Sequence, residues 1–156
     1  MQPGRATVID APVTVSFAPA ADVLALDLWD SGVPPADSAL RLLHAEPRRW
    51  WVIGAGDAAE ALAAAVGERG ALTPIGGGLV RATLAGPGWR WLLSVSGWLD
   101  TADPAFGKGL LVGSVIHHVP VWIDAIGDDA CEVYLPSSYA ATLADLWQRA
   151  IGVPGG

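Results

Sequence analysis

The sequence predicts an α+β fold: a mixed, largely antiparallel sheet with about three helices packed on it, in βαββαβ-like units. Three observations carry that expectation. The strand-like segments alternate between apolar and polar residues, which suits sheets with one solvated face better than buried parallel strands. Turns rich in glycine and proline separate these segments closely enough for hairpins. Helix-forming stretches occur at three places among the strands, the pattern of an α+β chain rather than a doubly wound one.

Taken in order, "VTVSFA" (residues 13–18) and "VLALDLW" (23–29) alternate and read as strands, followed by the proline-rich loop "SGVPPADS" (31–38). "ALRLLHA" (39–45) and "RWWVIGA" (49–55) flank Glu46-Pro47-Arg48, a hairpin turn. A helix is expected from Asp57 to about Arg69, closed by Gly70. Asp57 followed three residues later by Glu60 has the spacing of a capping box, in which side chains satisfy the unpaired N–H groups of the first turn. "ALTPI" and "LVRATLA", divided by Gly76-Gly77-Gly78, are expected to pair antiparallel across a tight reversal. Gly86-Pro87 opens a short helix to about Ser96, because proline is tolerated where a helical N–H would be unpaired anyway.

"DTADPAFGKG" is a loop, and "LLVGSVIHH", "VPVWIDAI" and "CEVYLP" are three strands, the last two joined through Gly127-Asp128-Asp129. A closing helix starts at Ser137 or Ser138 and runs to about Ile151. Tyr139, Leu143, Leu146, Trp147 and Ala150 share one of its faces, opposite Thr142, Asp145, Gln148 and Arg149.

Composition narrows the functional classes. The 156 residues suit one domain, and 52% hydrophobic with 16% charged residues can build a core. A net charge of −7, with nine Lys and Arg, speaks against nucleic acid and anionic membranes as partners. No apolar run approaches the roughly 20 residues that span a bilayer, and "MQPGRATVIDAPV" lacks a signal-peptide core. A cytoplasmic location is expected. Cys131 is the only cysteine, so an internal disulfide and an all-thiolate metal site are both excluded. The unusual figure is eight tryptophans, a residue favoured both in cores and at subunit contacts.

The most suggestive motif is Gly54-Ala55-Gly56 between a strand and a helix, which resembles the turn that cradles a dinucleotide pyrophosphate. Asp57 puts a carboxylate where that phosphate charge would sit, and no acidic residue lies between Glu68 and Asp100 to hold a ribose. His117 and His118 are adjacent, so on a strand they point to opposite faces and do not share an ion. Ser137 and Ser138 precede a helix, where serine serves as a cap, and no G-x-S-x-G elbow occurs. Lys108 is a lone base in a loop, and the carboxylates are scattered among turns and caps. No catalytic, cofactor-binding or metal-binding residues are expected.

Residues from about Ala39 to Ala150 resemble the gamma subunit of heterotetrameric sarcosine oxidase, a family related to the folate-binding aminomethyltransferase fold. The resemblance rests on an ordered set: "RRWWVIGAG", then "VRATLAGP", then "DTADPAF" followed by Gly109, then "HVPVWI" and "CEVYLPSSYAATLADLW". Residues 39–151 make up the matching core of the single expected domain, and residues 1–38 match poorly. Departures occur too, with Pro136-Ser137 standing where the family often has Arg before its S-[FY]-A group.

The resemblance implies a non-catalytic structural subunit that stabilises alpha and beta partners during oxidative N-demethylation of an amine. FAD, FMN, NAD, zinc and tetrahydrofolate would then be carried by the alpha, beta and delta subunits and none by this chain. Trp50, Trp51 and Trp122 are the candidate partner-facing residues, since Trp50 and Trp51 must leave their strand on opposite sides. Kinship of fold supports a second expectation, a stand-alone folate-binding protein for one-carbon transfer.

Overall fold

The computed structural model describes residues 12–30, 32–35, 40–96 and 109–152. Nine strands and three α-helices are defined among them. The strands are β1 (Thr14–Pro19), β2 (Val23–Leu28), β3 (Arg41–Glu46), β4 (Arg49–Ile53), β5 (Gly70–Pro74), β6 (Leu79–Ala85), β7 (Leu111–Ile116), β8 (Val119–Gly127) and β9 (Ala130–Pro136). The helices are α1 (Ala58–Val66), α2 (Trp89–Ser96) and α3 (Ala140–Gly152).

The fold is α+β, with two antiparallel sheets rather than one. The first has the order β1-β6-β9-β8-β7 and the second β3-β4-β2-β5. All the ladders are antiparallel, and a single parallel bridge, His44 to Leu110, joins one sheet to the other. The four-strand order, with α1 between β4 and β5, is that of the split β-α-β-β-α-β arrangement.

The period-2 pattern of each strand then separates two apolar faces per sheet. On the five-stranded sheet, Ala82, Leu84, Val121, Ile123, Val133 and Leu135 pack against Trp89, Leu92 and Leu93 of α2 and Leu143 and Trp147 of α3. On the four-stranded sheet, Leu26, Leu28 and Val52 pack against Leu62 and Val66 of α1. The remaining faces meet each other through Val23, Leu43, Trp51, Ile53, Leu111 and Tyr134. The layers therefore run α1, four-stranded sheet, five-stranded sheet, then α2 with α3.

Several local expectations are corrected. β5 and β6 do not pair with each other: β5 pairs with β2, and β6 with β1 and β9. The three glycines form one 3-10 turn, Gly76–Gly78, that carries the chain from one sheet to the other instead of back alongside itself. Gly76 lies against the Ala20 carbonyl, closer than any Cβ could approach, because the β1–β2 connection makes the reverse crossing at the same place.

Helix α1 ends at Val66, and residues Gly67–Arg69 follow as a 3-10 turn. The expected end at Gly70 is thus three residues late, because Gly67 adopts a positive-φ, non-helical conformation (φ 56°, ψ −132°) that is open to glycine and breaks the α-helix. Tyr139 is 41% exposed and does not share the buried face of Leu143 and Trp147, since it lies in the 3-10 turn that precedes α3. The expected β3–β4 and β8–β9 hairpins stand as read, whereas helices α2 and α3 end about where expected but begin later, at Trp89 and Ala140, each after a turn. Among the described residues, no helix is long and apolar enough to cross a membrane.

Candidate functional site

The charged residues of the strands concentrate between the two sheets. Arg41 on β3 reaches across the layer to Asp124 on β8 and to Glu132 on β9, the latter at 2.8 Å. Arg81 on β6 donates in the opposite direction, to both oxygens of Asp22 at 2.8 and 3.1 Å, and to the Tyr134 hydroxyl at 3.1 Å. That hydroxyl in turn donates to Glu132 at 3.1 Å. Arg41 thus grips carboxylates of the facing sheet and Arg81 holds Asp22 in the turn that leads into β2, so the network fastens the two sheets together.

Burial sets the electrostatics here. It pushes the Asp124 carboxyl above the ordinary carboxylate range, and the Arg41 guanidinium opposes that shift. Burial also acts to lower Arg41, but Asp124 and Glu132 outweigh it and hold the guanidinium above its usual value. Tyr134 is pushed up to about 12, chiefly by burial.

The signal for this network lies in the sequence but is faint. Arg41, Arg81, Asp124 and Glu132 each interrupt an apolar strand at a position whose parity faces inward. Alternation makes such residues look solvated until a second sheet is known to cover that face.

The tryptophans divide by position. Trp51 is 4% exposed and sits between the sheets, with ring centroids 5.4 Å from both Trp122 and Tyr134. Trp122 is half-buried in the same layer. Trp50 leaves β4 on the other side, half-buried toward α1, and stacks on His44 at 4.8 Å. Trp50 and Trp51 do face opposite ways, but each meets a layer of this chain. Trp89 and Trp147 are fully buried, with their indole N–H groups donating to the Asp128 carbonyl (3.0 Å) and the Ser96 hydroxyl (2.8 Å). Trp29, at 61%, is the most exposed of the described tryptophans.

The remaining candidates resolve as local structure. Gly54 (φ 65°) and Gly56 (φ 53°) both occupy the left-handed region and turn β4 into α1, which accounts for the glycines by backbone conformation. Asp57 makes no capping hydrogen bond and lies in the right-handed helical region, so the expected capping box is not formed. A capping residue normally has extended backbone angles that aim its oxygen at the N–H groups. Ser137 and Ser138 lie inside a 3-10 turn, where the Ala140 amide donates to the Ser137 carbonyl.

His117 and His118 are not strand residues: they are the two turn residues between Ile116 and Val119, both left-handed (φ 48° and 68°). Among the described residues, no group of three His, Cys, Asp or Glu could hold a metal. Cys131 is fully buried on the face that meets α2 and α3, and burial pushes its thiol up, away from the reactive thiolate. Lys108 and most of the loop "DTADPAFGKG" lie outside the described residues.

Among the described residues, two concavities adjoin the inter-sheet layer, one of ≈ 280 Å³ beside Arg41, Leu43 and Asp124. The other, a cleft of ≈ 400 Å³, is lined by Trp51 and Trp122, by apolar Ile75 and Leu79, and by charged Glu46 and Arg49.

No family model matches this sequence, and none of the curated proteins does. Among solved structures, the chain is similar to a chain of the heterotetrameric sarcosine oxidase from Corynebacterium sp. U-96, solved in complex with pyrrole 2-carboxylate. The TM-score is 0.70 at 18% identity, over 90% of this chain and 84% of that one. The regulatory subunit of aspartate kinase from Thermus thermophilus aligns at a TM-score of only 0.45 and 16% identity, over 93% of this chain and 96% of that one. The first likeness establishes a shared fold.

Proposed function

We propose that this chain is a non-catalytic structural subunit, of the gamma type, in a multi-subunit flavin-dependent amine oxidase or demethylase of the sarcosine-oxidase kind. The observation that carries this reading is the fold likeness, spanning 90% of the chain, to a chain of an enzyme described as heterotetrameric. The ordered motifs from "RRWWVIGAG" to "CEVYLPSSYAATLADLW" point the same way. So does the use of the inter-sheet charges, which bind one another.

On this reading the partners are alpha, beta and delta subunits. FAD, FMN, NAD, zinc and tetrahydrofolate reside with those partners, and this chain contributes surface and rigidity in the cytoplasm. Co-expression of the tagged chain with candidate flavoprotein subunits from the same genome tests the assignment. The expected result is a stoichiometric complex that brings bound flavin through purification. A well-folded monomer that leaves its co-expressed partners behind overturns it. Calorimetry of tetrahydrofolate against the isolated chain separates the stand-alone folate-binding reading, for which heat of binding is required and here none is expected.

A further inference from the structure

The inter-sheet layer is filled at its centre by Trp51 and Tyr134 and is bordered by clefts, the larger of the two described lying beside Trp51 and Trp122. β3 and β7 are the terminal strands of their sheets, and they meet at the His44–Leu110 bridge, where the His44 amide donates to the Gly109 carbonyl at 3.1 Å. Past that bridge along both strands, Ala45 and Glu46 of β3 and Gly113 of β7 line the ≈ 400 Å³ cleft. The register of β3 on β4 shifts between His44 and Glu46, which takes Ala45 out of the ladder. Such bulges re-aim neighbouring side chains and recur beside binding sites.

Two features of the lining specify a ligand. The first is an uncovered aromatic surface. Gly113 is the cross-strand partner of Trp122, and a Cβ there would stand 3.9 Å from the indole Cδ1 and Nε1. Any larger residue would lie against that ring, and glycine leaves it bare. Neither the Trp51 nor the Trp122 indole N–H donates to an acceptor among the described residues, and neither is sealed from solvent. The contrast is with Trp89 and Trp147, whose N–H groups are both satisfied.

The second feature is charge. Arg49 is held by Nε and Nη2 to the two oxygens of Asp27, at 2.7 and 3.1 Å. Glu46 is exposed and is hydrogen-bonded to no cation among the described residues, though its charge also acts on Arg49, its cross-strand partner. Arg49 is thus engaged by a carboxylate outside the cleft, which leaves Glu46 as the lining charge to attract a cation beside the indole. The volume suits a small organic molecule, and Ile75 and Leu79 add apolar lining.

We propose that this cleft binds a small aromatic amine, its ring against the Trp122 indole and its ammonium group drawn to Glu46. The site is independent of any subunit role for the chain.

Phenethylamine and phenylpropionate provide the test, being alike in ring and size and opposite in charge. Isotope-labelled full chain is titrated with each, following the indole N–H signals of Trp51 and Trp122, assigned with the Trp122→Phe variant. Phenethylamine is expected to shift both signals saturably with a Kd of about 1 mM or tighter, and phenylpropionate to bind at least about tenfold more weakly. Gly113→Val, a β-branched residue at an exposed strand position, is expected to weaken phenethylamine at least about tenfold while leaving the folded spectrum intact. Glu46→Gln is expected to erase most of the preference for the cation. The proposal is overturned by absence of saturable shifts, by equal affinity for the two compounds in the parent chain, or by full phenethylamine affinity in a folded Gly113→Val.

Discussion

Asp124 is 2% exposed in a strand whose other buried residues are apolar, and its energetics follow from that position. Because burial raises its folded-state value above that of the unfolded chain, the folded protein keeps this proton to higher pH. The contribution to stability is therefore fully present below the unfolded value and is lost as pH rises through the folded one. Asparagine cannot titrate. Chemical denaturation of the parent chain and Asp124→Asn between about pH 3 and about pH 6 is expected to give a stability difference that moves in favour of the variant as pH rises. Parallel curves would contradict the assignment. The histidine turn makes a second residue-level case. A two-residue hairpin with both φ values positive is the type favoured by Asn-Gly, and left-handed backbone costs an ordinary residue about 1–2 kcal/mol. Replacing His117-His118 with Asn-Gly is expected to raise the thermal midpoint, with a gain of about 1 kcal/mol or more. The adjacency of the histidines was plain in the sequence, but their turn geometry was not, because "VIHHVP" carries no Gly, Asn or Asp to mark the reversal.

Two elements separate what a motif suggests from what its backbone does. Asp57 and Glu60 have capping-box spacing, yet Asp57 offers no hydrogen bond to the N-terminus of α1. Asp57→Ala is accordingly expected to cost no more than about 0.5 kcal/mol, the low edge for loss of a formed cap. A loss near 2 kcal/mol in urea denaturation would restore the capping box. The triple glycine differs from position to position. At Gly76 a methyl group would collide with the Ala20 carbonyl, while at Gly77 nothing lies within 4 Å. Gly76→Ala should therefore destabilise by about 3–5 kcal/mol, and Gly77→Ala should stay within about 1 kcal/mol of the parent. Equal effects would show that the two sheet-switching connections do not pack as closely as described. Composition marked all three glycines as a turn; only the crossing chain distinguishes the first from the second.

At the scale of the whole molecule, the connectivity ties the two sheets together. β1 enters the five-stranded sheet, β2 to β5 build the four-stranded one, and β6 returns to the first. The four-stranded sheet is thus one contiguous stretch inserted between β1 and β6 of the five-stranded one, and Arg41 on β3 and Arg81, through Asp22 just before β2, tie the two together. Unfolding is expected to be one cooperative transition, with the tryptophan near-ultraviolet signal and the backbone far-ultraviolet signal changing together. Separate midpoints would indicate that one sheet persists without the other. Most of the elements were legible from the chain alone, because alternation, helical periodicity and turn residues act within about ten positions of one another. The inter-sheet network and the cleft were not. Arg41 and Trp51 gain their partners from β8 and β9, far away in sequence, and Gly113 matters only because the other sheet makes a cleft beside it. Hydropathy and turn chemistry by themselves determined the α+β class, the order of strands and helices, and which residues of a strand share a face. Tertiary structure alone decided which sheet each strand joined and what covered the second face. Period-2 alternation specifies the side to which a residue points, whereas the partner it meets there depends on contacts between distant segments.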